Sequence, residues 1–222
     1  MRRIEILGDA ANLWVIDVAD QALLPREGSN PLSAEEMARA DRFVRGGDRT
    51  RFILARAALR HLLGQAVSAP PEKLAFSVGP YGKPFLADRP DLQFNVSHSG
   101  SFALIGISAE RPIGVDIELM RENIDELALA RHFFCEQEHR FLATLEGDAQ
   151  LTAFYEIWTC KEAVLKAFGV GISSHLKDFC VHRTPLGVAI KPEPRCFAPE
   201  LAQVRLGAVE VSARYAATFA LR

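Results

Sequence analysis

Apolar and polar positions along this chain follow two periods, and each change of period marks an element. Dense β-branched and aromatic residues from Leu13 to Val18 (LWVIDV) predict a buried strand. Residues 20–32 have a loop composition, and Ser33 with Glu36 then forms a capping box that opens a helix containing Met37 and Phe43. Gly46-Gly47 reads as a break. A second helix, from about Asp48 to Gly64, buries the stripe Phe52, Ala55, Leu59 and Leu62. Period two returns in Leu74, Phe76 and Val78 before the turn at 79–82, and again in Leu92, Phe94 and Val96. Ser99-Gly100-Ser101 turns that strand back into Phe102–Ile107.

The second half opens on IGVDIE, Ile113 to Glu118. Helical patterns follow over about 123–134, beyond Phe133 to about 146, and over about 151–168, where Gly169 and Gly171 stop the helix. Strands are expected at 179–182, 187–190, 204–206 and 215–221, with the proline-rich KPEPRCFAPE as a loop between them.

IGVDIE organises the chemistry. On a strand, Ile113, Val115 and Ile117 face a core, while Gly114, Asp116 and Glu118 share the opposite face. The two carboxylates then lie about 6.5–7 Å apart along the strand. Such like charges suit a hard cation such as Mg²⁺, which takes carboxylate, water and phosphate oxygens. An exposed acidic strand face is the ordinary alternative, and the D-x-E spacing alone does not choose between them. A third acid, Glu162, stands on the helix with Trp158 one turn before it and Lys166 one turn after it. The Glu162–Lys166 pair is also what a solvated helix face would carry.

Composition changes this picture only locally. With 222 residues, 49% hydrophobic and 24% charged, the chain can bury a substantial core. A net charge of −2 gives no general attraction to nucleic acid or anionic membrane. Between positions 39 and 60, however, seven arginines face two acids. Arginine forks match phosphate oxygens, although Arg49, Arg56 and Arg60 recur as one exposed face would. Lys83, held extended by Pro84, can serve as a point charge for a phosphate. Ser97 and His98 end a strand where an anionic oxygen could be met. As neighbours on a strand they point to opposite faces, which argues against a nucleophile–base pair. Glu138 sits in the first turn of its helix, where an acid is ordinarily dipole-compatible. Cys135, Cys160, Cys180 and Cys196 are dispersed, so neither a disulfide framework nor a zinc site is expected and reduced thiols are the default. No signal-peptide core and no membrane-spanning run is evident, which gives the expectation of a cytoplasmic, monomeric protein with no membrane or nucleic-acid partner.

The ordered set GKP (82–84), FNVSHSG (94–100), IGVDIE (113–118), FFCEQE (133–138) and WTCKEAVLKAFGVGIS (158–173) resembles the 4′-phosphopantetheinyl transferases of the surfactin-synthetase-associated (Sfp) type. The resemblance implies an α+β fold of two similar α/β halves, 1–109 and 110–222, related by a pseudo-two-fold with the active site in the cleft between them. It also implies coenzyme A as substrate, Mg²⁺ as cofactor and an apo acyl or peptidyl carrier protein as partner. By position, Asp116, Glu118 and Glu162 match magnesium ligands, and Glu162 and Lys166 match catalytic residues. Arg39, Arg51, Lys83, Pro84, Ser97, His98 and Lys161 match coenzyme A contacts, and Glu138 matches a family acid without a firm role. Glu36 stands where some relatives carry lysine. A metal-dependent nuclease or phosphohydrolase, and a non-catalytic carrier-protein or coenzyme A binding module, are the alternatives to a transferase.

Overall fold

In chain order the elements are β1 (Arg2–Ile6), β2 (Ala11–Asp17), α1 (Ala34–Ala40), α2 (Gly46–Val67), β3 (Phe76–Val78), β4 (Pro84–Leu86), β5 (Gln93–Ser99), β6 (Phe102–Ser108), β7 (Ile113–Leu119), α3 (Glu126–Phe133), α4 (Glu136–Leu142), α5 (Gly147–Phe168), β8 (Phe179–Thr184), β9 (Gly187–Pro192), β10 (Arg205–Ala208) and β11 (Tyr215–Leu221). The computed structural model describes residues 1–6, 11–18, 30–171, 175–184, 187–194 and 196–222, so most of the loop expected at 20–32 lies outside the described residues. The fold is α+β. A four-stranded antiparallel sheet runs β1-β2-β6-β5, and a three-stranded one runs β10-β11-β7.

Four layers result. Leu54, Leu59, Leu62 and Leu63 of α2 pack on Ile16, Phe94, Ala103 and Ile105 of the first sheet. The other face of that sheet, with Leu13, Val15 and Leu104, meets Ile113, Val115, Ile117, Ala217 and Phe219 of the second. Ile113, Val115 and Ile117 are fully buried there, as the strand reading requires. The opposite face of β7 receives α5 at close range. A β-carbon on Gly114 would lie 2.0 Å from the Ala163 carbonyl oxygen, so only glycine lets the helix backbone come this near.

The two edge strands β5 and β7 are joined by side chains instead of a backbone ladder. Asn95 Oδ1 accepts from the Val115 N–H at 2.9 Å, and Ser99 Oγ accepts from the Leu119 N–H at 3.0 Å. These bonds satisfy donors that an edge strand otherwise leaves open. The hairpin tip is fastened as well: Ser101 N–H donates to the Tyr215 hydroxyl at 2.9 Å, in space that a side chain at Gly100 (φ +55°) would fill.

Several local expectations hold. Ser33 and Glu36 form the capping box, with Glu36 N–H on Ser33 Oγ at 3.2 Å and Ser33 N–H on Glu36 Oε2 at 2.8 Å. Others are corrected. Phe43 lies past the end of α1, and Gly46-Gly47 forms the first turn of α2 instead of a break. Arg56 and Arg60 do not share an exposed face with Arg49. Both pair with Glu36, and Arg60, 2% exposed, also donates to the carbonyls of Pro71 and Leu74. A buried guanidinium needs such acceptors, and they come from segments that helix periodicity does not see. The thiol expectation fails too: Cys135 and Cys180 form a disulfide with Cα atoms 5.7 Å apart, while Cys160 and Cys196 are free. Packing of α4 against β8 brings together two positions that lie 45 residues apart in the chain.

Candidate active site

Because α5 lies across the Gly114 face of β7, the acids of the strand and of the helix meet over one lysine. Lys166 Nζ bonds Asp116 Oδ1 and lies 3.2 Å from Glu162 Oε2. Ser97 Oγ, from β5, donates to the same Asp116 oxygen at 2.8 Å, and Ser99 Oγ donates to Glu118 Oε2 at 2.7 Å. Asp116 is 1% exposed, so the D-x-E pair is no solvated strand face.

Three carboxylates and one ammonium leave this cluster short of positive charge. Burial raises the Glu162 pKa first, and Asp116 raises it further, against the pull of Lys166. Glu118 is raised by burial as well, with Asp116 and Glu162 adding to it. For Lys166 burial acts downward, but the attraction of Asp116 and Glu162 outweighs it and the pKa rises.

One atom tests whether a cation fits. Asp116 Oδ2 is buried and, among the described residues, has no hydrogen-bond partner. An acceptor-only oxygen in that position is costly unless a cation satisfies it, and an all-oxygen donor set suits a hard divalent ion. The fit is therefore good in chemistry. The three acids have not drawn in to within 4.8 Å of one another, a spacing that among the described acid, histidine and cysteine groups only Cys135, Cys180 and Glu193 reach. Lys166 stands between Asp116 and Glu162 and supplies the positive charge there.

A cleft of about 520 Å³ opens beside the cluster. Tyr81, Lys83 and Pro84 line it from the β3–β4 turn, and Phe133, Trp158 and Lys166 from the helices. Lys83 does not point its ammonium freely into this space. It donates to the carbonyls of Ile113, Lys166 and Ala167 at 3.1, 2.8 and 3.3 Å, capping the last turn of α5. Burial, reinforced by nearby Arg222, lowers its pKa to about 8.

The remaining expected contacts divide. Ser97 and His98 do face opposite ways, Ser97 toward Asp116 and the His98 ring outward. Crowding by neighbouring atoms lowers the His98 pKa; Arg51 and then Lys166 push it the same way, while Asp48 pushes it back up. Arg51 pairs with Asp48. Arg39 lies over the Phe52 ring, 5.4 Å from its centroid. Lys161 is a correction. It is fully buried, and its ammonium donates to the Leu176 and Phe179 carbonyls at 2.7 and 2.5 Å and pairs with Glu138 at 2.9 Å, so no ligand reaches it. Adjacent helix positions point about 100° apart, which sends Lys161 into the core while Glu162 meets Lys166. Glu138 is equally buried and also accepts from the N–H groups of Cys135 and Val181, tying α4, α5 and β8 together. Asn95 and Ser99 were not singled out in the sequence. Their signal is a polar residue at every second position from 95 to 99, opposite Phe94 and Val96.

Residues 28–110 match the family model described as 4′-phosphopantetheinyl transferase, N-terminal, and residues 112–220 match the 4′-phosphopantetheinyl transferase superfamily model. The chain is 36% identical over 185 residues to the 4′-phosphopantetheinyl transferase HetI of Nostoc sp., covering 82% of this chain and 78% of that protein. It is similar to the transferase Sfp of Bacillus subtilis, with 33% identity over 150 residues, 68% of this chain and 66% of Sfp. A Synechocystis sp. relative is 48% identical over 149 residues, which span 66% of this chain and 61% of that one. With both family models matched side by side along the chain and a relative aligned over more than two thirds of its length, this protein belongs to the 4′-phosphopantetheinyl transferase family.

Proposed function

We propose that the chain transfers the 4′-phosphopantetheine group of coenzyme A to a serine hydroxyl of an apo acyl or peptidyl carrier protein, releasing adenosine 3′,5′-bisphosphate. The observation that carries this reading is the convergence of Asp116, Glu118, Glu162 and Lys166 between β7 and α5, at the edge of a cleft, with the buried Asp116 Oδ2 unpartnered among the described residues. We take residues 1–109 and 110–222 as the two functional halves. The first supplies Lys83, Pro84, Ser97 and His98, and the second the acids and Lys166.

Asp116, Glu118 and Glu162 are the residues that would hold a divalent ion, which we take to be Mg²⁺. When bound, such an ion neutralises charge on the diphosphate. The residues of the chain do the rest. Glu162, its pKa raised by burial and by Asp116, is suited to take the proton of the attacking serine. The serine oxygen forms a bond to the phosphorus nearer the pantetheine, and the bond from that phosphorus to the bridging oxygen breaks. Lys166, kept cationic by Asp116 and Glu162, stabilises the charge that appears on the departing bisphosphate. Ser97 holds Asp116 in place, and we take His98 and Arg51 to face a phosphate of the nucleotide end.

The test is a mass-spectrometric one. Apo carrier protein, coenzyme A, Mg²⁺ and this protein together should give a gain of about 340 Da, the mass of the phosphopantetheine group that such a displacement transfers. Asp116→Ala and Glu162→Gln should each abolish the gain while the protein stays folded. Phosphate release without a gain would instead indicate a phosphohydrolase, and unchanged transfer by both variants defeats the assignment of these residues.

A further inference from the structure

Away from the acids, the Cys135–Cys180 disulfide has a carboxylate against it. Glu193 Oε1 lies 3.1 Å from Cys180 Sγ. A disulfide sulfur carries no proton to donate, so in the oxidised form this approach gains no hydrogen bond. On reduction the two sulfurs move apart from bonding distance, and the groups then have two uses: the Cys180 thiol can donate to Glu193, or all three groups can ligate one cation. Their ligand atoms lie within 4.8 Å of one another, the only such set of acid, histidine and cysteine groups among the described residues. The two sulfurs are nearly buried, with Cys135 5% and Cys180 2% exposed, so a reduced pair has no water shell to support thiolate charge. Cys135 and Glu193 nevertheless line a cavity of about 730 Å³, which gives a reductant and an ion a way in.

We propose that Cys135, Cys180 and Glu193 form a thiol-gated site for a borderline-soft divalent ion of the zinc class, closed while the disulfide stands and opened by a dithiol reductant. The chemistry balances. The dithiol gives two electrons and two protons, the S–S bond breaks into two thiols, and the reductant becomes its own disulfide. Zinc then displaces both thiol protons and takes two sulfurs and one carboxylate oxygen, with water completing a tetrahedron. Oxygen-only Asp116, Glu118 and Glu162 prefer harder ions, so the two sites differ in ligand class. This inference does not rest on the transfer reaction.

The consequence for the fold is specific. The site joins the N-terminus of α4, one residue after Phe134, to β8 and to the turn after β9. Either the disulfide or a bound ion adds a tie between these pieces beyond the bonds of Glu138, and reduced, metal-free protein keeps only the latter.

The experiment uses the full chain with Co²⁺ and Zn²⁺ as probes. Thiol titration of air-oxidised protein should find two thiols and of reduced protein four, since Cys160 and Cys196 are free. Reduced protein should bind one equivalent of Co²⁺ with a thiolate-to-metal charge-transfer band, displaced by Zn²⁺, and oxidised protein should show no such band. Cys135→Ser and Cys180→Ser should lose the band, Cys160→Ser and Cys196→Ser should keep it, and Glu193→Gln should weaken affinity about tenfold or more. Zn²⁺ should raise the melting temperature of reduced wild type but not of reduced Cys180→Ser, a readout that needs no variant to bind metal. The proposal is overturned by four thiols in the oxidised sample, by a Co²⁺ spectrum without a thiolate band, or by a band that survives in both cysteine variants.

Discussion

Lys161→Met is the sharpest test of how α5 is anchored. The side chain of Lys161 is fully buried and that of Glu138 is 2% exposed, so water compensates neither charge. Burial pushes the Glu138 pKa up and the Lys161 pKa down, in both cases against the attraction between them. Desolvation therefore exceeds the Coulomb gain, and the pair is no net source of stability relative to two solvated ions. Removing one member is nevertheless harmful, because Glu138 then keeps only the N–H groups of Cys135 and Val181, and the carbonyls of Leu176 and Phe179 lose their donor. A stranded buried charge of this kind costs about 3–5 kcal/mol. In urea that should lower the unfolding midpoint by about 1 M or more at the slopes usual for a protein of this size. Adding Glu138→Gln removes the unpaired charge while keeping an acceptor for the two N–H groups. It should recover at least about 2 kcal/mol of the loss. The sign with pH follows from the raised Glu138 pKa. Its contribution is most favourable below the unfolded value of 4.5 and is lost as pH rises through the folded value, so the Lys161→Met deficit should shrink on acidification. A deficit below about 1 kcal/mol, or a double variant no better than the single one, would refute the reasoning. Weakened coenzyme A binding at an unchanged midpoint would restore Lys161 as a ligand contact.

Two further outcomes follow from the same geometry. Gly114→Ala should cost about 3 kcal/mol or more, because the added methyl meets the backbone of α5 and not a movable side chain, and turnover should fall with it as Glu162 and Lys166 are pushed from Asp116; chemical denaturation and the transfer assay check both. Glu162→Gln should raise the melting temperature of metal-free protein at pH 7 while abolishing transfer. The raised pKa of Glu162 means that its ionisation weakens the fold as pH rises past 4.5, so the gain should vanish in mild acid, and a lowered melting temperature at pH 7 would count against the charge-deficit account.

Much of the fold was written in local periodicity. The alternation of IGVDIE put its isoleucines and valine in the core and its acids on one face, and the Ser33–Glu36 box set the start of α1. What failed were the partners of buried charges. Arg56, Arg60 and Lys161 all read as surface or ligand-facing groups, and each is held by acceptors that tertiary packing brings from elsewhere in the chain. A helix repeat states which way a side chain points but not whether a carboxylate or carbonyl waits there. The disulfide escaped for the same reason, since no local motif links residues 135 and 180. The cluster of Asp116, Glu118, Glu162 and Lys166 was legible because resemblance supplied the long-range pairing that spacing lacks.

The ladder between β7 and β11 has a bearing on biosynthesis. Among the described residues, the strand that bears Asp116 and Glu118 takes its only backbone partner from residues 215–221, roughly a hundred positions later. A growing polypeptide emerging from the ribosome can pack α2 onto the first sheet early, but it cannot seat the acidic strand until that late segment has left the exit tunnel. Truncation before Tyr215 should therefore leave an amino-terminal half able to collapse and an acidic strand with a bare edge, prone to pair with other chains.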